Sequence, residues 1–179
     1  MTAVAAVPEL VAETTRDLAR AQWRVAASLA GAEAREAWAT ELHPDDRWRL
    51  VRAGHFTQYS SELDWTPLEV AGHLRDSARI FSERLHCLRT QANPILPDFV
   101  TDAPERLADY RATAPESLID QLRTAQAELL QAVAAVRGPD LDRTGTHETD
   151  GPLTVADVLT FLPGHQRDHA RQLRALLSH

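Results

Sequence analysis

Three of the eight histidines stand where their side chains can converge. His165 and His169 are four residues apart, so on a helix their Cβ atoms sit ~5–6 Å apart on one face. That face is apolar, because Val158, Leu159, Leu162 and Leu173 recur on it at three- and four-residue steps. His73 takes the same kind of inward position among Val70, Leu74, Ser77 and Phe81. A single inward histidine is most often a hydrogen-bonded core residue. A buried pair is harder to satisfy that way, since two polar rings must both find partners in an apolar layer. Three neutral imidazoles from two helices instead describe a site for one divalent transition metal with open positions. That arrangement belongs to catalytic rather than structural zinc.

Two familiar metal motifs are excluded. His165-Gln166-Arg167-Asp168-His169 has zinc-protease spacing, but Gln166 stands where the general-base glutamate would be. Glu83-Arg84-Leu85-His86 matches the Glu-x-x-His of di-iron carboxylate bundles, yet the required second copy is missing. Glu83 and His86 read more simply as a solvated pair.

The elements that would position the trio are helices, since a period of about 3.6 dominates and no long strand alternation appears. A first helix is expected from Pro8 to about Ala30, with Gly31 as a break. A polar stretch through Trp38 and Trp48 follows without a clear assignment. Thr66-Pro67-Leu68-Glu69 opens the second helix, with Thr66 as N-cap and Glu69 closing a capping box. Thr113-Ala114-Pro115-Glu116 suggests the same for a third, which Gly138-Pro139 stops. Thr154 with Asp157 caps the fourth. Pro163 falls inside it and removes the hydrogen bond to the Leu159 carbonyl, so a kink that aims His165 is expected. Four such helices with long connections make an all-α, four-helix bundle of one domain, residues 1–179.

Bulk properties bound the function. The net charge of -7 gives no electrostatic footprint for nucleic acid or an anionic membrane, and all nineteen basic residues are arginine. Cys87 is the single cysteine, which fits a reducing compartment. The run Ala3 to Val7 lacks a basic flank and is cut by Pro8, so it does not read as a signal peptide. A soluble cytoplasmic protein acting on a small molecule is expected.

The two histidine segments resemble a known family. Trp65-Thr66-Pro67-Leu68-Glu69 leading into His73-Leu74-Arg75-Asp76-Ser77 is similar to the start of the second helix in the DinB/YfiT-like superfamily. His165 to Leu173 is similar to its last-helix His segment, and Asn93-Pro94 with Pro97 to the loop after the second helix. The resemblance spans roughly residues 8–179 and implies up-down-down-up connectivity, frequent homodimers, and nickel or zinc on His73, His165 and His169. It also implies metal-dependent hydrolysis, or transfer of a low-molecular-weight thiol such as bacillithiol or mycothiol. Many members carry histidine where this chain has Asp168. The related mycothiol-dependent maleylpyruvate isomerases carry glutamate where His165 stands, so that activity is not implied.

Either reaction suits a metal on three neutral ligands, which lowers the pKa of bound water or binds a thiol as thiolate. Thiol transfer is the expectation that the resemblance favours. Asp76, one turn after His73, is the candidate catalytic residue, able to orient a ligand or carry a proton. It reads equally as a surface charge near Arg75 and Arg79. Asp168 lies ~100° around the helix from His169 and points away from the metal. Two other functions stay open: an enclosed structural metal, with His147 or Glu69 as fourth ligand, or a metal-free partner module.

Overall fold

The computed structural model describes residues 8–178, so the N-terminal run Ala3 to Val7 lies outside the described residues. Six α-helices carry the chain: α1 Glu9–Ala34, α2 Pro44–Arg52, α3 Pro67–Thr90, α4 Pro104–Ala112, α5 Pro115–Ala134 and α6 Val155–Leu176. The four long ones form the bundle. Helix α1 continues past Gly31, where a Cβ would meet nothing within 4 Å, so that glycine does not break it. Two of the three expected caps are present, the boxes of Thr66 with Glu69 on α3 and of Thr154 with Asp157 on α6. Helix α5 differs: its N-cap is Ala114 without a side-chain bond, and the Thr113 hydroxyl donates backward to the Asp109 carbonyl.

Helix directions follow from who touches whom. The Thr14 hydroxyl near the start of α1 donates to the Leu159 carbonyl near the start of α6. Arg35, just past α1, reaches the Leu177 carbonyl just past α6. Those two helices are therefore parallel. Across α3 and α6 the order reverses, His73 meeting His169 and Phe81 meeting Phe161. Helices α3 and α5 run together, since Arg75 bonds Gln121 and Arg89 bonds Asp140 beyond the end of α5. The connectivity is up-down-down-up.

The core has two apolar layers. One gathers Leu18, Leu85, Leu129 and Leu159 and the other Leu29, Leu74, Leu118 and Leu173, each fully or almost fully buried. A leucine so buried contributes about 1.5–3 kcal/mol over an exposed one. Where the layers meet, Gln22 donates to the Gln126 carbonyl and the Gln126 amide donates to Gln166 Oε1. This polar level is also where the histidines enter.

Helix α6 runs without interruption through Pro163. The carbonyl that Pro163 leaves without a helical donor is that of Leu159. It is the one that Thr14 satisfies, at 3.2 Å, which explains a threonine 2% exposed in the core.

Strands are also present, which periodicity does not reveal. β1 Ile95–Leu96 pairs parallel with β2 Thr144–His147, and β2 pairs antiparallel with β3 Gly151–Thr154. Gly145 lets β2 approach, since a Cβ there would lie 2.8 Å from the Pro94 carbonyl oxygen. The polar stretch before α3 resolves into α2 and a 3-10 turn, Ser60–Asp64. No helix among the described residues is long and apolar enough to cross a membrane.

Candidate metal centre

Helix α3 delivers His73, and α6 delivers His165 and His169 one turn apart. One ligand atom from each lies within 4.8 Å of the others, and no further acidic, cysteine or histidine side chain among the described residues joins them. His73 Nε2 and His165 Nε2 are 3.0 Å apart. Ligand nitrogens ~2.0–2.1 Å from a tetrahedral ion would sit roughly 3.3 Å apart, so only a small adjustment separates this pair from coordination.

The hydrogen bonds around His169 decide its tautomer. The Glu62 backbone carbonyl can only accept, so the amide nitrogen of Gln172 faces it. Gln172 Oε1 therefore faces His169 Nδ1 at 2.9 Å, and Nδ1 carries the proton. That leaves the Nε2 lone pair aimed at the other two rings. Gln172 is wholly buried and fixes the ring as partners of metal-binding histidines do.

Burial pushes His73 and His165 well below the ordinary histidine pKa, and repulsion from His169 adds to it. Both rings are neutral at pH 7, the form that binds metal. Aromatic walls enclose them. Trp65 stacks on His169, Phe99 on His73 and Phe161 on His165, with ring centroids 6.2, 5.9 and 5.3 Å apart.

Four buried side-chain nitrogens among the described residues have no hydrogen-bond partner: His73 Nδ1, His165 Nδ1, His169 Nε2 and Arg84 Nε. All four belong to this one region. A buried polar atom left unpaired costs about 1–3 kcal/mol, and of these four it is His169 Nε2 that an ion would satisfy, together with the Nε2 atoms that His73 and His165 turn toward each other. The donor set fits a divalent ion.

A cavity of about 490 Å³ opens beside His73 and His165, walled by Tyr59, Glu62, Phe81, Arg84, Phe99 and His147 among others. A second, of about 330 Å³, reaches His165 and His169 from the side of Phe56 and Asp168. Glu62, on the 3-10 turn, borders both, with Oε2 3.4 Å from His169 Nε2. Nothing in its local sequence announces that role, because the turn bears no helical period.

Asp76 departs from its expected place. Its carboxylate accepts from Arg75 Nε, Arg106 Nη1 and the Tyr110 hydroxyl, at 2.8, 2.8 and 2.9 Å. It lines neither cavity and braces α4 against α3 instead. The Tyr110 ring packs so closely there that a Cβ on Gly72 would lie 2.3 Å from it. Asp168 turns away from the trio, as expected, to lie 2.9 Å from His55 Nδ1. Neither fourth-ligand candidate joins the histidines: Glu69 is bonded to Thr66 and Arg111, and His147 to Arg84.

The DinB superfamily profile matches residues 4–173. The chain belongs to the DinB superfamily. Among solved structures, YfiT from Bacillus subtilis superposes with a TM-score of 0.66 at 19% identity, over 98% of this chain and 90% of that one. It is described as a probable metal-dependent hydrolase with an unusual four-helix bundle topology. At that identity the likeness shows the DinB fold, in keeping with the up-down-down-up path traced above. Comparison with curated proteins gives no match.

Proposed function

We propose that this chain is a metal-dependent enzyme that delivers a nucleophile to a small electrophilic substrate, with nickel or zinc on His73, His165 and His169. The observation that carries this reading is the convergence of three imidazoles, His169 Nε2 unpaired among them, beside an open cavity. An ion bound there by neutral ligands would keep its full charge and act as a Lewis acid on the nucleophile. The chain's own residues supply the rest. Gln172 holds His169 in register, Trp65 and Phe161 keep water off the rings, and the Glu62 carboxylate stands where it can take the nucleophile's proton.

The nucleophile this reading favours is a low-molecular-weight thiol. Two cavities meeting at Glu62 and His165 give separate room for a thiol and its acceptor. The thiol proton passes to Glu62, the carbon–sulfur bond forms, and the electron pair leaves with the acceptor's leaving group. Hydrolysis is the second reading. It is favoured by Glu62 as a base for water and by the description of YfiT. The proposal keeps a cytoplasmic homodimer acting on small molecules, and light scattering of purified protein reads the assembly.

Elemental mass spectrometry on tag-free protein tests the site. About one nickel or zinc per chain is expected, lost in His73→Ala and His169→Ala. Absence of metal even after reconstitution overturns the reading. Loaded protein is then assayed for thiol consumption with a haloarene and for cleavage of a nitrophenyl ester. Ester cleavage that needs no thiol, with no thiol transfer, selects hydrolysis.

A further inference from the structure

The large cavity contains a charge that the three-histidine chemistry does not use. His73, Ser77, Phe81 and Arg84 follow one another at four, four and three residues along α3, so one helix face carries all four into the cavity wall. Eleven residues separate the ends, about 16 Å of helix axis, and the arginine side chain leans back toward the helix N-terminus.

Arg84 is only 9% exposed. Its Nη2 donates to the Pro97 carbonyl at 2.9 Å and to His147 Nε2 at 2.7 Å. The Pro97 carbonyl is uncharged, and His147 Nδ1 is met by the Thr149 and Asp150 backbone N–H groups, the Thr149 hydroxyl and the Asp150 carboxylate. Arg84 Nε has no partner, and no carboxylate among the described residues forms an ion pair with this guanidinium. Asp98 and Asp150 are the carboxylates whose charge acts most on it. Both are solvated, with side chains 40% and 75% exposed, and Asp98 Oδ1 is already taken by the Phe99 N–H. The guanidinium is thus held by a carbonyl and an imidazole nitrogen and has no ion pair with a carboxylate among the described residues. A buried charge held that way is costly unless something else neutralises it.

We propose that Arg84 anchors the carboxylate of the substrate, so that the cavity takes an apolar, singly charged organic acid whose reacting end meets the three histidines. The claim rests on the enzymatic reading of this site and names its substrate class. The walls fit the remainder of such a molecule: Phe81 lies under the guanidinium at 5.3 Å, and Tyr59, Phe99 and Phe161 line the path between. The same walls argue against a dianion. Among the described residues Arg84 is the single arginine on the cavity wall and Asp98, Asp102 and Asp150 line it too, so a second negative charge on the ligand would find no cation to pair with.

Isothermal titration tests this with phenylacetate, 3-phenylpropanoate and 4-phenylbutanoate, each beside its uncharged amide, and with 2-phenylethyl phosphate. Wild-type protein should bind at least one carboxylate about tenfold tighter than its amide, the order expected for one charge-assisted hydrogen bond. Arg84→Gln should erase that ratio, and Arg84→Lys should retain part of it. His169→Ala should leave the ratio intact, so a failure of metal binding does not obscure this result. Three outcomes overturn the assignment. One is no preference for any carboxylate in the wild type, weak or absent binding included, which is decisive even where a variant does not fold. Another is a ratio that survives Arg84→Gln, and its loss in His169→Ala would then place the carboxylate on the metal. The third is tighter binding of the phosphate than of every carboxylate.

Discussion

Replacing Gln172 by leucine should weaken metal binding without touching a ligand. The side chain is wholly buried, and its two polar ends bridge the Glu62 carbonyl and His169 Nδ1. Leucine keeps the approximate volume and removes both bonds. In the metal-free protein, the neutral bond from Nδ1 is worth about 0.5–1.5 kcal/mol net. It should rise to about 1.5–3 kcal/mol when the ring shares the charge of an ion. The difference, about 1–2 kcal/mol, corresponds to a loss of roughly 5- to 30-fold in metal affinity, near the 10- to 100-fold seen when such orienting partners are removed. Competition for zinc against a chromophoric chelator at fixed pH measures the change. Urea denaturation of the metal-free protein measures the separate cost of leaving the Glu62 carbonyl unpaired, about 1–3 kcal/mol. A dissociation constant within twofold of wild type, with lowered metal-free stability, would refute the tautomer argument and leave Gln172 a structural residue.

Thr14→Val should cost about 1–3 kcal/mol in chemical denaturation, by leaving the Leu159 carbonyl unpaired. In a Pro163→Ala background the restored helical N–H should make that cost small, and an equal cost in both backgrounds would break the link. Gly72→Ala should force the Tyr110 ring off α3 and destabilise by about 1–3 kcal/mol, read as a lower urea midpoint. Burial alone would raise the Asp76 pKa, but bonds from Arg75, Tyr110 and Arg106 outweigh it and hold the group below its usual value. Its stabilisation is therefore full above the unfolded pKa of ~3.9 and is lost as pH falls through the lower folded value. Asp76→Asn should cost about 2–4 kcal/mol at pH 7, less than a fully buried pair because Arg75 retains Asp109. That deficit should shrink below pH 4, and a constant deficit down to pH 2 would contradict the sign.

The sequence made the metal centre legible because its parts obey helical arithmetic. His165 and His169 are one turn apart, His73 shares the apolar stripe of α3, and capping boxes mark both helix starts. What stayed hidden lies off the helices or depends on partners far along the chain. Glu62 sits on a 3-10 turn, and β1 to β3 are two to four residues long, too short for alternation to show. Asp76 has the right spacing from His73, but spacing cannot reveal that Arg106 and Tyr110 from α4 both claim its Oδ2 while Arg75 takes Oδ1. Arg84 stands in the sequence only as a spacer between Glu83 and His86, and its place in the cavity wall depends on His147, 63 residues later.

In the up-down-down-up bundle the parallel pair α3 and α5 cannot be joined by a tight turn, and the two antiparallel joins, α1 to α3 and α5 to α6, are made by long crossovers as well. Here those crossovers do more than connect. Tyr59 and Glu62 come from the one before α3, Phe99 from the one after it, and His147 from the one before α6. The three candidate ligands sit on bundle helices, while much of the wall of the cavity beside them is hung from the connections between those helices. Reactivity and selectivity are thereby separable properties of one scaffold. If the proposed reaction holds, exchanging cavity-facing residues of a crossover should change which molecules enter while leaving the three histidines in place, provided that buried Leu63 and Leu96 are kept.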